Sequence, residues 1–252
     1  MGETTKIEWT DATWNPWVGC TKVSTGCAHC YAERLINRLH RGNPGGHSPF
    51  TVLRRTAPAT FDAPLRWARR LPRASDGGYV RRVFTCSLSD FFHPAADPWR
   101  REAWLLMQRT PGLTYQILTK RPERIAANLP TDWGPNGWPN VWLGTSIETD
   151  DYRGRIEELV KVPARLRFLS VEPLLGPLHL SPYLFDIGWV IVGGESGPHA
   201  RKMDLDWART VRDDCIGMGV PFFFKQLGGA QHKRDGVEAL LDGRTHKEVP
   251  RP

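Results

Sequence analysis

The 252 residues carry 34 Lys and Arg against 27 Asp and Glu, a formal charge of +7, together with eleven tryptophans and five cysteines. A chain of this length can bury a substantial core as one domain, and α/β barrels reach this size without splitting. No run is long and apolar enough for a membrane span, MGETTKIEWTD has no apolar h-region, and an odd cysteine set with three in eleven positions excludes a secreted disulfide scaffold.

A reducing, cytoplasmic setting is therefore expected. Lys6 stands where a myristoylation motif needs Ser or Thr, which sets aside a lipid anchor at Gly2. The positive charge suits an anionic partner such as a nucleotide, a nucleic acid or an acidic protein. The arginines are spread along the chain, so solubility explains the charge as well.

In chain order, a first strand is expected just before Cys20. Cys20, Cys27 and Cys30 then form a C-x6-C-x2-C cluster in WVGCTKVSTGCAHCYAERL. Three closely spaced thiolates suit a cubane iron-sulfur cluster, and the missing fourth ligand leaves one iron open for chemistry. A helix follows, with Tyr31, Leu35 and Leu39 at i, i+4 and i+8, Ile36 widening the stripe and Gly42 placed to stop it.

Strand-like runs recur at 83–86, 115–119, 141–145, 167–171, 189–192 and 221–224. Their near-continuous apolarity suits strands buried on both faces, with helical crossovers between them. Helices are expected from Asp97-Pro98, where an N-cap carboxylate precedes an N1 proline, after Arg121-Pro122, and near Asp204. In the last of these Trp207, Val211 and Cys215 share a face, which makes Cys215 a core residue. RGNPGGHSPF, RASDGG and PTDWGPNGWPN read as surface loops.

The expected fold is α/β, a full or partial (β/α) TIM-type barrel of about six to seven parallel strands with loop insertions. It forms one domain over 1–252, with the polar, basic segment 228–252 as a C-terminal extension that wraps the barrel or frays.

In such barrels, chemistry gathers at the C-terminal strand ends. There the chain places Ser87, Ser89 and Asp90; Thr119, Lys120 and Arg121; Thr145, Ser146 and Glu148; Ser170 and Glu172; Gly193, Gly194 and Glu195; and Lys225 with Gln226. The GGESG segment offers backbone N–H groups to an anion, while Glu195 can accept from an ammonium or hydroxyl. A tight turn with an incidental carboxylate accounts for it equally. Lys120 and Arg121 either bind a phosphate or carboxylate or stand solvated. Cys86 packs beneath the mouth, or faces it as a thiol or hydrogen-atom donor; packing is the preferred reading.

The ordered blocks KIEWTDATWNPWVGCTKVSTGCAHCYAE, CSLSDFF, ILTKRPER, VWLGTSIE, FLSVEPLLGP, VIVGGESG and PFFFKQLG run from Lys6 to Gly228. They resemble the three-cysteine-motif phage-protein family, a DUF5131-like group related to the radical S-adenosylmethionine enzymes. The resemblance implies a radical-enzyme barrel in which Cys20, Cys27 and Cys30 ligate a [4Fe-4S] cluster. S-adenosylmethionine would complete the open iron through its amino and carboxylate groups and yield a 5′-deoxyadenosyl radical that abstracts a substrate hydrogen.

The same resemblance makes His29, beside the last cysteine, a cofactor contact. By strand order Ser87, Ser89 and Asp90 are placed for the amino end of the cofactor, and Thr145, Ser146 and Glu148 for its carboxylate or ribose. Gly193, Gly194 and Glu195 carry the family's GGE pattern, displaced from the second strand to a later one, and six residues separate the first two cysteines where three are usual. No catalytic residue is assigned. A nucleotide or nucleic-acid substrate for modification or repair, a three-cysteine-motif partner protein and an electron donor are the implied partners.

The rival reading is a zinc-binding structural or nucleic-acid-binding protein, with the three cysteines joined by His29, His40 or His47. A third is a barrel that only transfers electrons or scaffolds a partner.

Overall fold

The computed structural model describes residues 2–39, 49–70, 81–229 and 239–250. In chain order the elements are β1 (Ala12–Trp14), β2 (Trp17–Val18), α1 (Tyr31–Leu39), β3 (Arg54–Arg55), α2 (Pro58–Phe61), α3 (Ala63–Ala68), β4 (Arg82–Thr85) and α4 (Asp97–Gln108). They continue with β5 (Thr114–Thr119), β6 (Val141–Ser146), α5 (Gly154–Val160), β7 (Leu166–Val171), β8 (Trp189–Gly193), α6 (Leu205–Met218) and β9 (Phe222–Gln226).

Seven strands form one sheet in the order β1-β4-β5-β6-β7-β8-β9, and every neighbouring pair is parallel. The sheet does not close between β1 and β9 and curls into a half-barrel, the partial form of the expected α/β architecture. Alternation along each strand divides the core in two. Val83, Ile117, Leu143, Leu169, Val190 and Phe224 join the main core outside the sheet, against the helices. Phe84, Trp142, Phe168, Trp189, Ile191 and Phe223 fill the inside together with Trp9. Each such buried side chain contributes roughly 1.5–3 kcal/mol. Gly144 makes room for this inner layer, since a Cβ there would stand 2.5 Å from the Phe168 ring.

The first barrel strand lies earlier than expected, at β1. Asn15 ends it by donating to Ser87 Oγ at 2.9 Å and accepting from Leu88 N at 2.7 Å, and Pro16 has no N–H to continue the ladder. The segment before Cys20 instead becomes β2, paired antiparallel with β3 in a separate small sheet.

Several helix expectations are also corrected. The buried edge of α1 is Ala32 and Ile36 against Val18, Phe50 and Leu88, with Tyr31 and Leu39 exposed. Asp97 does not cap α4; its carboxylate is taken by Arg100 and Arg124, while His93 Nδ1 caps the preceding short 3-10 turn by accepting from Ala95 N at 3.1 Å. After Arg121-Pro122 there are two 3-10 turns, Pro122–Arg124 and Ala126–Asn128, in place of a helix. Side-chain bonds hold them, including Arg124 Nε to Phe92 O at 2.8 Å, and Leu129 is extended ahead of Pro130. Only a 3-10 turn, Ser181–Asp186, links β7 to β8.

The last helix meets its expectation. Asp204 caps α6 by accepting from Asp206 N at 2.9 Å, Gly219 ends it at φ +66°, and Val211 and Cys215 are fully buried with Trp207 half-buried. Beyond it, residues 244–248 run antiparallel to β9 across the base of the barrel. Phe224 N donates to His246 O at 2.8 Å, Trp189 Nε1 donates to Glu248 O at 2.8 Å, and Lys247 pairs with Glu8. This part of the C-terminal extension wraps the barrel. Among the described residues no helix is long and apolar enough to cross a membrane. The expectations placed on His40, Gly42, His47 and the RASDGG loop fall outside the described residues.

Candidate functional site

Cys20, Cys27 and Cys30 line one cavity at the C-terminal ends of the parallel strands, above a floor of Trp9, Phe84 and Leu118. Counted out to its open mouth, the cavity spans about 1100 Å³. The cysteine loop is tied to the strand ends at three places.

At the first, Gly19 and Ser89 form a bridge in which Ser89 Oγ donates to Gly19 O at 2.5 Å. Gly19 sits at φ +110°, and a Cβ on it would lie 2.8 Å from the carbonyl oxygens of Phe50 and Val52. Beside it the buried Arg121 donates to Asp90 Oδ2 at 3.1 Å, Thr21 O at 3.0 Å and Cys20 Sγ at 3.7 Å. Asp90 also accepts from Thr119 Oγ1 at 2.7 Å, Phe92 N at 2.9 Å and Lys120 N at 3.0 Å.

At the second, Glu148 is completely buried and accepts from Ser24 Oγ at 2.6 Å, while pairing with Lys120 and with Arg155 at 2.9 Å. The loop can lie this close because residue 26 is glycine; a Cβ there would stand 2.5 Å from Glu148 Cγ. At the third, Glu195 accepts from His29 Nδ1 at 2.9 Å and from Arg201 Nε at 2.9 Å and backbone N at 2.8 Å. Arg201 Nη2 reaches on to Thr25 O at 3.0 Å, closing a clasp between the cysteine loop and the end of β8.

These neighbours separate the thiols. Burial pushes the Cys20 thiol up to about 11, with Asp90 adding to the effect and Arg121 opposing it. Burial acts the same way on Cys27, but the Lys120 charge, the Ser24 hydroxyl and backbone N–H groups outweigh it and lower its value. Burial lifts the Cys86 thiol well above its ordinary range. For Glu195, burial is overcome by hydrogen bonds from Arg201 and His29, which hold the carboxyl at about 2.

His29, Ser87, Ser89, Asp90, Ser146, Gly194 and Glu195 line the cavity together with the three cysteines. Thr145, Glu148 and Gly193 do not. Since Ser146 faces inward, its neighbour Thr145 faces the helices, where its Oγ1 donates to Thr119 O at 2.9 Å. Glu148 lies behind the cysteine loop under its two cations. Gly193 lies beneath Glu172, whose Oε1 would be 2.8 Å from a Cβ at that position. The carboxylates of Asp90 and Glu195 are already bonded to protein donors, and Lys120 and Arg121 are paired inward, not solvated. Cys86 is buried at 3% exposure, in the main core and against the cavity wall.

Two features went unassigned in the sequence. Arg201 lies in no recognisable motif. Glu172 and Lys225 read only as polar residues closing separate strands, and the fold joins them in an ion pair.

One zinc ion needs its ligands about 2.0–2.3 Å from one point, and among the described residues no three His, Cys, Asp or Glu are so grouped. A cubane attaches its thiolates to separate irons, so it asks for thiols around a cavity.

No curated protein matches the chain. A solved structure of a spore photoproduct lyase mutant with dinucleoside spore photoproduct is similar at 11% identity and a TM-score of 0.46, covering 79% of this chain. The match spans 58% of that chain's length. The family described as "Protein of unknown function (DUF5131)" matches residues 4–250, and the chain belongs to that family.

Proposed function

We propose that Cys20, Cys27 and Cys30 hold a [4Fe-4S] cluster, that S-adenosylmethionine binds at its open iron, and that the protein is a radical S-adenosylmethionine enzyme acting on a nucleotide or nucleic acid. The observation that carries this reading is the arrival of all three cysteines at one cavity. When bound, the two groups supply a 5′-deoxyadenosyl radical able to take a hydrogen atom from a substrate.

The chain's own residues have definable parts in this. Arg121 brings positive charge and an N–H donor to Cys20, and Lys120 brings positive charge to Cys27, which offsets the negative charge of the ligand set. The Glu195 carboxylate stays ionised and can only accept, so the proton between it and His29 sits on His29 Nδ1, leaving Nε2 as the other ring position. Trp9 and Phe84 close the floor and exclude water. Ser87, Ser146 and Gly194 are uncharged polar positions along the wall. The net charge of +7 supports an anionic substrate. An electron donor and a three-cysteine-motif partner protein belong to the same reading.

The test is anaerobic preparation. Brown protein with about four iron and four sulfide per chain, forming 5′-deoxyadenosine after reduction with S-adenosylmethionine, is the expected result. Colourless protein with stoichiometric zinc would sink it. Cys27→Ala should abolish both colour and cleavage, whereas Cys215→Ala should leave both. Incubation with nucleic acid and nucleotides, followed by mass analysis of nucleosides, tests the substrate class; unchanged nucleosides count against it.

A further inference from the structure

Most charged groups lining the cavity are committed to one another. Asp90 has four donors, Glu195 is held by Arg201 and His29, and Lys120 and Arg121 each have carboxylate partners. Glu172 and Lys225 stand apart. They sit at the ends of β7 and β9, line the cavity, and are 13% and 19% exposed.

Lys225 Nζ lies 2.7 Å from Glu172 Oε1, yet that oxygen is buried without a hydrogen-bond partner, because the contact lacks hydrogen-bond geometry. Glu172 Oε2 receives only the Ser170 hydroxyl, at 3.2 Å. Among the described residues the Lys225 ammonium has no other partner, so donors remain on it. The cavity therefore contains one under-used cation and one under-used acceptor side by side. Gly193 is what allows the carboxylate to lie there, and Gln226 Nε2 pins the adjacent strand end by donating to Gly194 O at 2.7 Å.

We propose that the Glu172–Lys225 pair reads the Watson–Crick edge of one unpaired nucleobase, held over the Trp9 and Phe84 floor. A base edge presents an acceptor and a donor on adjacent atoms. Its acceptor draws the Lys225 ammonium onto itself, and its N–H takes the place the ammonium leaves at Glu172 Oε1. A bare phosphate or carboxylate meets Glu172 as it approaches Lys225, and a bare ammonium meets Lys225, so a neutral ligand bearing both functions is the better match. The apolar, aromatic floor suits an aromatic ring over a zwitterionic amino acid. A base already paired in a duplex has this edge occupied, so the substrate is single-stranded or flipped out.

This inference rests on the cavity being the substrate chamber of the proposed enzyme. It is tested without turnover, by equilibrium titration of anaerobically prepared protein, so its failure and that of the radical reading are read separately. The probes are the four ribonucleoside monophosphates, ribose 5-phosphate, L-methionine, and the monophosphates methylated on the Watson–Crick edge, at N1 of guanosine and adenosine or N3 of uridine and cytidine.

At least one of the four ribonucleoside monophosphates should bind about fivefold to 150-fold more tightly than ribose 5-phosphate, the range for a bidentate base contact. Methylating its edge should remove that advantage, as should Lys225→Met and Glu172→Gln. No preference over ribose 5-phosphate, or one that survives the methyl group, overturns the proposal. Methionine binding that depends on both residues, without any base preference, overturns it too. Should a variant fail to fold, the methylated probes decide on the unaltered protein.

Discussion

Replacing Glu195 by Gln removes the charge at the centre of the clasp between the cysteine loop and β8. In the native protein burial raises the carboxyl, but Arg201 and His29 outweigh that and hold it at about 2. An unfolded glutamate titrates near 4.3, so the fold favours the charged form by about 3 kcal/mol. Arg201 is 36% exposed and water screens part of its charge, which brings the expected cost of Glu195→Gln to about 2 kcal/mol at neutral pH.

In a chain of this size that lowers Tm by about 4–8 °C. Because the folded value lies below the unfolded one, the contribution is complete above about pH 4.3 and is lost as pH falls toward 2. Urea unfolding of both proteins without cluster, followed by tryptophan fluorescence at about pH 7, 5 and 3.5, should show a midpoint gap that holds to pH 5 and narrows below it. Equal midpoints at neutral pH, or a gap indifferent to pH, would refute the clasp. The variant should also retain less iron after reconstitution, since His29 adjoins Cys30 and loses its anchor.

Arg121→Met leaves Asp90 buried without its cation and should cost about 3 kcal/mol, part of which Asp90→Asn restores in the double variant. A Tm within about 2 °C of wild type would show that the pair is not stabilising. In cluster-free protein iodoacetamide should modify Cys27 before Cys20, with buried Cys86 and Cys215 slowest, as read by peptide mass analysis; the opposite order contradicts the charge environment described for the loop. Gly194→Ala forces a Cβ to within 2.0 Å of Leu227 O, so the ends of β8 and β9 must part at a cost of about 1–3 kcal/mol. Gly112→Ala meets nothing within 4 Å and serves as the near-neutral control for the same melting experiment.

The parallel sheet was legible because strands buried on both faces leave continuous apolar runs, and six of the seven barrel strands lie where such runs occur. β1 escaped notice because it is only three residues long and ends at Asn15, whose role as a bridge to Ser87 and Leu88 lies more than seventy residues away. The ordered sequence blocks pointed to the DUF5131 family that the chain matches over residues 4–250. The gathering of the three cysteines at one cavity was legible from their spacing.

Their supports were harder to read. A Ser24–Glu148 or His29–Glu195 contact spans over a hundred residues and leaves no local pattern. Strand parity decides that Ser146 faces the cavity and Thr145 does not, and that parity depends on register. Asp97 shows the opposite failure: a sound local signal for a cap was overridden by two arginines that offered the carboxylate stronger partners.

The strap across the base of the barrel bears on how the protein is made. The Trp189 indole N–H, at the start of β8, finds its acceptor in Glu248, and Glu8 finds its cation in Lys247. During synthesis both must wait until residues 247 and 248 leave the ribosome, well after β1 to β8 have emerged. The base of the barrel is thus closed only after β9 has emerged, and a nascent chain stalled before Lys247 presents an unfinished base to proteases and chaperones. Pulsed proteolysis of ribosome-bound chains tethered through C-terminal linkers of increasing length should show protection of the Trp189 region rising sharply as residues 246–248 clear the exit tunnel.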